Sequence, residues 1–427
     1  MKGPFLILAL ITASTVSAQE SQEISTGAGY SLQSFVNIGA GTEVQVANNA
    51  WDIAFSVTPG DAGVFINESV GSASGLSAIQ AYYTLSTDFS AAPDQGIFEQ
   101  FPQMNLEKTW SYGALNEIRN PDDADDYGWG YLNPETQEIT GEYVFVIRLR
   151  DGDYLKLQVQ SLIDGVFTFR YANFDGSGEE TRTIDKADHV GKLMAYYSFA
   201  SDDVVDIEPD NGFDLLFCRY TSLLDDPGGG DPIPYLVTGI LSGNGVEVAQ
   251  ADGVDPKTVM FEDYQNALSA ELEIIGHDWK EFDLGGFQWI LAEDRVYFVK
   301  TAAGRVWKIQ FVEFEGSTTG TAVFEKTDLG ILSAVQDELS PLNTFEVFPN
   351  PVTTCAYVLF SLGRDIRYEA HLQVLDAYGK SVSQYAMQVI PGLNVFTLPI
   401  EGMADGMYFL NFSVDDQSLG KKFFVTN

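Results

Sequence analysis

A strand signature that occurs twice constrains this chain more than any other feature. It reads aromatic-Asp-aliphatic-x-Phe, first as Trp51-Asp52-Ile53-Ala54-Phe55 and again as Phe213-Asp214-Leu215-Leu216-Phe217. A second anchor follows in the same order each time. It is Phe145-x-Ile147-Arg148, Gly152 and Lys156-Leu157-Gln158-Val159, then Tyr297-x-Val299-Lys300, Gly304 and Lys308-Ile309-Gln310-Phe311. The glycine supplies a positive-φ turn, and Lys and Gln alternate with apolar neighbours as in a half-buried hairpin. Such self-similarity implies one supersecondary design used twice. Phe55 and Gly152 are 97 positions apart and Phe217 and Gly304 are 87 apart, so the first copy holds about ten extra residues. The Asp/Gly-rich stretch from Arg119 to Gly141 is their expected place.

Elsewhere apolar residues recur at period two or in short β-branched and aromatic runs, as in Glu142-Tyr143-Val144-Phe145-Val146-Ile147 and Val166-Phe167-Thr168-Phe169-Arg170-Tyr171. These read as strands between Gly and Asp turns, which makes the chain all-β with a few short helices. One such helix is expected after Asp255-Pro256, with Phe261, Tyr264 and Leu268 on one face. A loop rich in Gly and Asp, from Asp225 to Pro232, separates two strands of the second copy. The strand pattern fades into a linker after Phe324 and resumes as short, evenly spaced strands, the pattern of a small β-sandwich.

At the start, Met1-Lys2, an apolar run from Pro4 to Ile11 and Val16-Ser17-Ala18 have the order of a secretory signal peptide, with cleavage before Gln19. That run is too short to span a bilayer, and no other segment reaches the ~20 apolar residues a spanning helix needs. Cys218 and Cys355 are expected as unpaired thiols in different modules. With 61 acidic and 23 basic residues the formal net charge is −38, which repels nucleic acid and anionic lipid.

The tail motifs are Phe348-Pro349-Asn350-Pro351, Leu375-Asp376-x-x-Gly379-Lys380, Gly406-x-Tyr408-Phe409 and the terminus Lys421-Lys422-Phe423-Phe424-Val425. Together they resemble the type A C-terminal sorting domain of the type IX secretion system of Bacteroidetes. That resemblance implies an immunoglobulin-like β-sandwich that engages the secretion machinery through residues 344–427, export to the cell surface or medium, and removal of the tail. The Trp-Asp-Ile-Ala-Phe strand and its downstream hairpin resemble the HmuY family of haem-binding haemophores, in two tandem copies. The expected organisation is signal peptide 1–18, first repeat 19–190, second repeat 191–332, linker 333–343 and sorting domain 344–427.

The HmuY resemblance implies haem as cofactor and an outer-membrane haem receptor as partner, without insertion of this chain into the membrane. Haem needs axial ligands from His, Met, Cys or Tyr. His277, in Ile275-Gly276-His277-Asp278-Trp279, and His189, in Asp188-His189-Val190-Gly191, are the candidates, with Met104, Met194 and Met260 behind them. Both histidines also fit surface loops. The repeated positives Arg148/Lys300 and Lys156/Lys308 read as solvent-side residues of alternating strands, or as propionate partners. Asp122 to Asp126 and Asp202 to Asp206 lack calcium-loop spacing. No His-Glu-x-x-His, Gly-x-Ser-x-Gly, Walker loop or Cys-x-x-Cys occurs, so the chain reads as a non-enzyme. Two functions remain: a surface haemophore, or a non-catalytic surface or adhesin-like protein that keeps the fold without haem.

Overall fold

The computed structural model describes residues 19–331, apart from 73–74, 107–108 and 227. It also describes residues 342–426, apart from 349, 353–354, 363–368, 377–379, 390–391, 401 and 415–416. The expected signal peptide and residues 333–341 of the expected linker lie outside the described residues. The chain divides after Ile331 into two compact units, a body and a tail.

Among its described residues the body holds twenty-two strands in two matching series of eleven, the second starting at β12, before the expected boundary at residue 190. In the first repeat they are β1 (Glu20–Ser25), β2 (Leu32–Asn37), β3 (Thr42–Ala47), β4 (Ile53–Ser56), β5 (Val64–Ile66), β6 (Gln80–Tyr83), β7 (Gly130–Asn133), β8 (Glu138–Gly141), β9 (Phe145–Arg148), β10 (Tyr154–Ile163) and β11 (Val166–Asn173). In the second they are β12 (Glu180–Asp185), β13 (Met194–Ser198), β14 (Asp203–Val205), β15 (Leu215–Leu224), β16 (Ile233–Ser242), β17 (Glu247–Ala251), β18 (Lys280–Asp283), β19 (Gln288–Leu291), β20 (Val296–Lys300), β21 (Arg305–Phe314) and β22 (Thr321–Ile331). Each strand of the first repeat thus has its counterpart eleven places later. Gly152 (φ 95°) and Gly304 (φ 77°) occupy the same hairpin turn, between β9 and β10 and between β20 and β21. A bulge interrupts β10 between Val159 and Ser161, and β21 at the matching place between Phe311 and Glu313.

Strand pairing does not respect the sequence repeats. The first three strands of each copy complete the other copy's sheets. β1 pairs with β22, closing the sheet β1-β22-β21-β20-β17, and β12 pairs with β11 in the matching sheet. Likewise β2 and β3 join β15 and β16, whereas β13 and β14 join β4 and β5. The cut expected at residue 190 is therefore corrected. One lobe is contiguous from Trp51 to Val205, and the other is built from 215–331 and closed by 20–47.

Ile53, Phe55, Ala195 and Tyr197 face the first lobe's core, and Val36, Leu215 and Phe217 face the second. The alternate residues Phe35, Ala54, Tyr196, Leu216 and Cys218 meet in a third cluster between the two small sheets. Four layers result, with the small sheets buried on both faces. That is why these strands are apolar almost without interruption, as in Ile-Ala-Phe and Leu-Leu-Phe-Cys.

Three local expectations change. The hairpin β7–β8 belongs to the repeat, because Trp129 and Trp279 open matching hairpins: Glu142 N–H donates to Trp129 O at 2.9 Å and Ala292 N–H to Trp279 O at 3.0 Å. Ala81 and Trp129 are 48 positions apart, against 31 for their counterparts Val248 and Trp279, so the insertion lies upstream, within 84–128. The helix expected after Pro256 is two short 3₁₀ turns, Phe261–Asp263 and Gln265–Ala267, in which Phe261 and Tyr264 pack on Phe298.

The tail comprises β23 (Leu342–Phe348), β24 (Cys355–Leu362), β25 (Glu369–Asp376), β26 (Ser381–Gln388), β27 (Gly392–Pro399), β28 (Gly406–Val414) and β29 (Gln417–Val425). Its first described strand begins at Leu342, inside the expected linker. Its antiparallel sheets, β23-β24-β27 and β26-β25-β28-β29, enclose a core containing Val358, Phe360, Leu372, Leu410 and Phe412. The described residues are all-β with short 3₁₀ turns.

Candidate binding sites

The two Asp residues of the repeated signature share a structural job. Asp52 accepts from Phe199 N–H at 2.8 Å, and Asp214 accepts from Ile38 N–H at 2.8 Å. Phe199 and Ile38 are counterparts just beyond β13 and β2, so each carboxylate ties down the strand borrowed from the other repeat. Asp52 is buried and pairs with Arg150 at 2.7 Å. Trp51 packs edge-on against Tyr196, and Phe213 does the same to the counterpart Phe35. Trp51 is buried; Phe213, in the repeat without the long insertion, is only half-buried.

Lys156 is not a solvent-side residue, and Lys308 is partly buried. Lys156 is buried, its ammonium donating to Phe89 O at 2.7 Å, and Lys308 donates to Pro256 O at 2.8 Å. Each pins a loop across its sheet. Arg148 reaches Ala78 O, and Lys300 pairs with Glu247 at 2.6 Å. The acidic runs are likewise engaged. Asp126 accepts from Asn120 and Gly128 N–H groups, and Asp202 accepts from Tyr171, Tyr197 and Arg182. Among the described residues no group of three His, Cys, Asp or Glu side chains is placed to hold a metal ion.

Between the small sheets lies a cavity of about 80 Å³, walled mainly by Phe35, Trp51, Phe65, Trp110, Tyr196 and Cys218. Trp51 Nε1 and Gln33 Nε2 are buried there without partners. Glu68, fully buried, accepts from Asn105 N–H at 3.0 Å and Thr221 N–H at 3.1 Å; burial raises its pKa, as it raises that of the Cys218 thiol. The space suits two or three waters of ~30 Å³ each, not a ligand of the size that fills a typical ~300 Å³ site.

The two candidate histidines are in different places. His189 ends a 3₁₀ turn after β12 and lines an open cleft with Tyr127, Lys186 and Asp61. His277 is the counterpart of Tyr127 and lines a separate cleft with Glu271, Glu273 and Asp278; its Nδ1 is 3.3 Å from Glu273 Oε1. The structure brings neither into the central cavity. Met194 lines that cavity, Met104 is buried and Met260 is 58% exposed.

The tail motifs act at its own chain end. Asn350 Oδ1 accepts from Phe424 N–H at 2.9 Å, and Val352 exchanges main-chain bonds with Phe424 and Thr426 on the last strand. Asp376 accepts from Lys380 N–H at 3.0 Å, closing the Asp-x-x-Gly-Lys turn. Tyr408 stacks on Phe423 and donates to Ala404 O. Residues 346–426 match the family described as Secretion system C-terminal sorting domain. The tail is a sorting domain. It directs export by the type IX secretion system and engages that system's machinery, which places the protein at the cell surface or in the medium. No described helix is long and apolar enough to cross a membrane.

The match leaves the body outside it. No curated protein matches this chain. Two solved structures share little with it. Dimeric latent PorU from Porphyromonas gingivalis is 10% identical, with a TM-score of 0.19 over 68% of this chain and 26% of that one. Escherichia coli alpha-2-macroglobulin activated by porcine elastase is 9% identical, with a TM-score of 0.17 over 96% of this chain and 44% of that one.

Proposed function

We propose that the body is a non-catalytic binding protein that the sorting domain carries to the cell exterior, in preference to a haem carrier. One observation supports this most. The charged side chains of the two repeat anchors, Asp52/Asp214 and Lys156/Lys308, are spent on holding main chain in place. What the duplication preserved is therefore a scaffold, and what distinguishes the copies is their outer surfaces. The three histidines lie beside no motif for nucleophilic or metal-assisted chemistry, which fits a non-enzyme.

A haem-carrying reading rests on a single feature, the Glu273 carboxylate beside His277 Nδ1, which orients a ring in the way ligating histidines are oriented. The surrounding Glu271, Glu273 and Asp278 oppose a ligand bearing propionates. Haem titration of the mature protein, followed in the Soret region, separates the two readings. The scaffold reading expects no sharpened band at micromolar haem. A sharpened band lost in His277→Ala, and kept in His189→Ala, contradicts it.

A further inference from the structure

The two repeats differ on the outer face of their large sheets. In the first, Phe89 from the insertion lies on that face, 4% exposed and clustered with Val144 and Ala172. Lys156 donates to Phe89 O at 2.7 Å and Ala91 O at 3.4 Å, and the Arg170 guanidinium sits 4.2 Å from the Phe89 ring centre. Strand register gives the counterparts in the second repeat: Val296 for Val144, Lys308 for Lys156, Gln310 for Gln158, Glu325 for Arg170 and Thr327 for Ala172. All five line an open groove of about 1200 Å³. Pro256 O takes the acceptor place of Phe89 O, and the groove stays open beside it.

One wall of the groove is also unfinished. In the first repeat β8 pairs with β10 through Ser161–Thr140 and Leu162–Ile139. In the second, β18 and β19 form a sheet of their own among the described residues, and β19 lies near β21 without pairing with it. Ile290 on that strand is 51% exposed, and Val312 across the groove 43%. Lys308 uses one carbonyl acceptor, Pro256, where Lys156 uses two. The charge is reversed at one position, since Glu325 stands where Arg170 covers the ring; Gln19 donates to Glu325, and Asp255, Lys257 and Glu293 also line the groove.

We propose that this groove binds a peptide segment of another protein. An aromatic side chain sits between Val296 and Thr327, as Phe89 does between Val144 and Ala172. A main-chain carbonyl of the segment accepts from Lys308, and a cationic residue lies beside Glu325. This specifies the partner for the non-catalytic reading and rests on it. Haem and peptide titrations address different surfaces, so failure of one is distinguishable from failure of the other.

The test uses the full mature chain and a fluorescein-labelled peptide copying residues 84–93, the first repeat's own covering segment, with Asp88→Lys to suit Glu325. Anisotropy should show saturable binding that weakens with salt and falls at least about tenfold when the peptide carries Phe89→Ala. The protein variant Glu325→Arg, which installs the first repeat's residue, should reverse the preference toward the peptide with its natural Asp88, with thermal unfolding unchanged. Three outcomes overturn the proposal: no saturable binding to about 1 mM, equal binding of the Phe89→Ala peptide, or a dimer of the chain whose formation excludes the peptide.

Discussion

The aspartate of the repeated signature carries the most information per residue. In both copies it accepts the main-chain N–H of a strand contributed by the other copy, but the surroundings differ: Asp52 is deeply buried and holds Arg150, whereas Asp214 has only main-chain donors. Asp52→Ala should therefore cost about 3 to 5 kcal/mol, the range for breaking a buried pair, and Asp214→Ala about 1 to 2 kcal/mol, both measured by chemical denaturation. Trp51→Ala should cost about 3 to 5 kcal/mol as a core truncation. Glu208 makes a pH prediction. It is buried, and burial pushes its pKa up to about 7 although Leu193 and Met194 N–H groups donate to it. A carboxyl with a folded pKa above its unfolded value of 4.5 holds its proton more tightly when folded. Its contribution is complete below about pH 4.5 and is lost, by about 3 kcal/mol, as pH rises to about 7. Glu208→Gln should flatten that slope; an unchanged slope contradicts the assignment. The repeated Asp was legible as part of a strand signature, but its role was not, because nothing in the local pattern says which strand its carboxylate meets. Glu208 carried no signal at all, standing in a run of acids.

At the level of elements, periodicity and turn chemistry located the strands well. The Gly152 and Gly304 hairpins are where the alternation of Lys, Leu, Gln and Val placed them. The insertion was misplaced because the Asp-rich stretch up to Gly141 looks like loop, although its second half is the β7–β8 hairpin with Trp129 at its foot. The match of Trp129 to Trp279 was the available clue. The tips of the two hairpins show how a shared backbone accepts different side chains. Asn133 and Asp283 accept from the N–H groups two and three residues on, and Gln137 (φ 61°) and Phe287 (φ 51°) then occupy the same left-handed position. Phe287 is 80% exposed and buries little in return. Phe287→Gly should stabilise the protein by up to about 1 kcal/mol, read as a rise in melting temperature, because glycine tolerates that φ without strain. A fall in melting temperature means that the ring contributes more packing than its exposure indicates.

For the whole molecule, the sequence separated body from tail and body into two copies, and the sorting motifs of the tail were legible because each fixes a turn or pins the final strand. Export with loss of the tail predicts that intact-mass spectra of surface and medium fractions contain a body ending between Val335 and Phe345; a surface form retaining Asn427 contradicts it. The exchange of strands was not legible, for a physical reason. Counterpart strands carry the same alternation, so β1 is equally complementary in pattern to β11 and to β22, and only three-dimensional closure decides between them. Pairing with β22 brings Ser21 opposite Glu325, whereas an unexchanged body would place Ser21 opposite Arg170, by analogy with Thr181. Antiparallel partners lie about 4.5 to 5.5 Å apart at Cα, within disulfide reach. The direct measurement is air oxidation of two double variants of the full mature chain in a Cys355→Ser background, read by non-reducing mass analysis. Ser21→Cys with Glu325→Cys should close an intramolecular disulfide in nearly every molecule, and Ser21→Cys with Arg170→Cys should remain reduced; the opposite result would show that each repeat folds on itself.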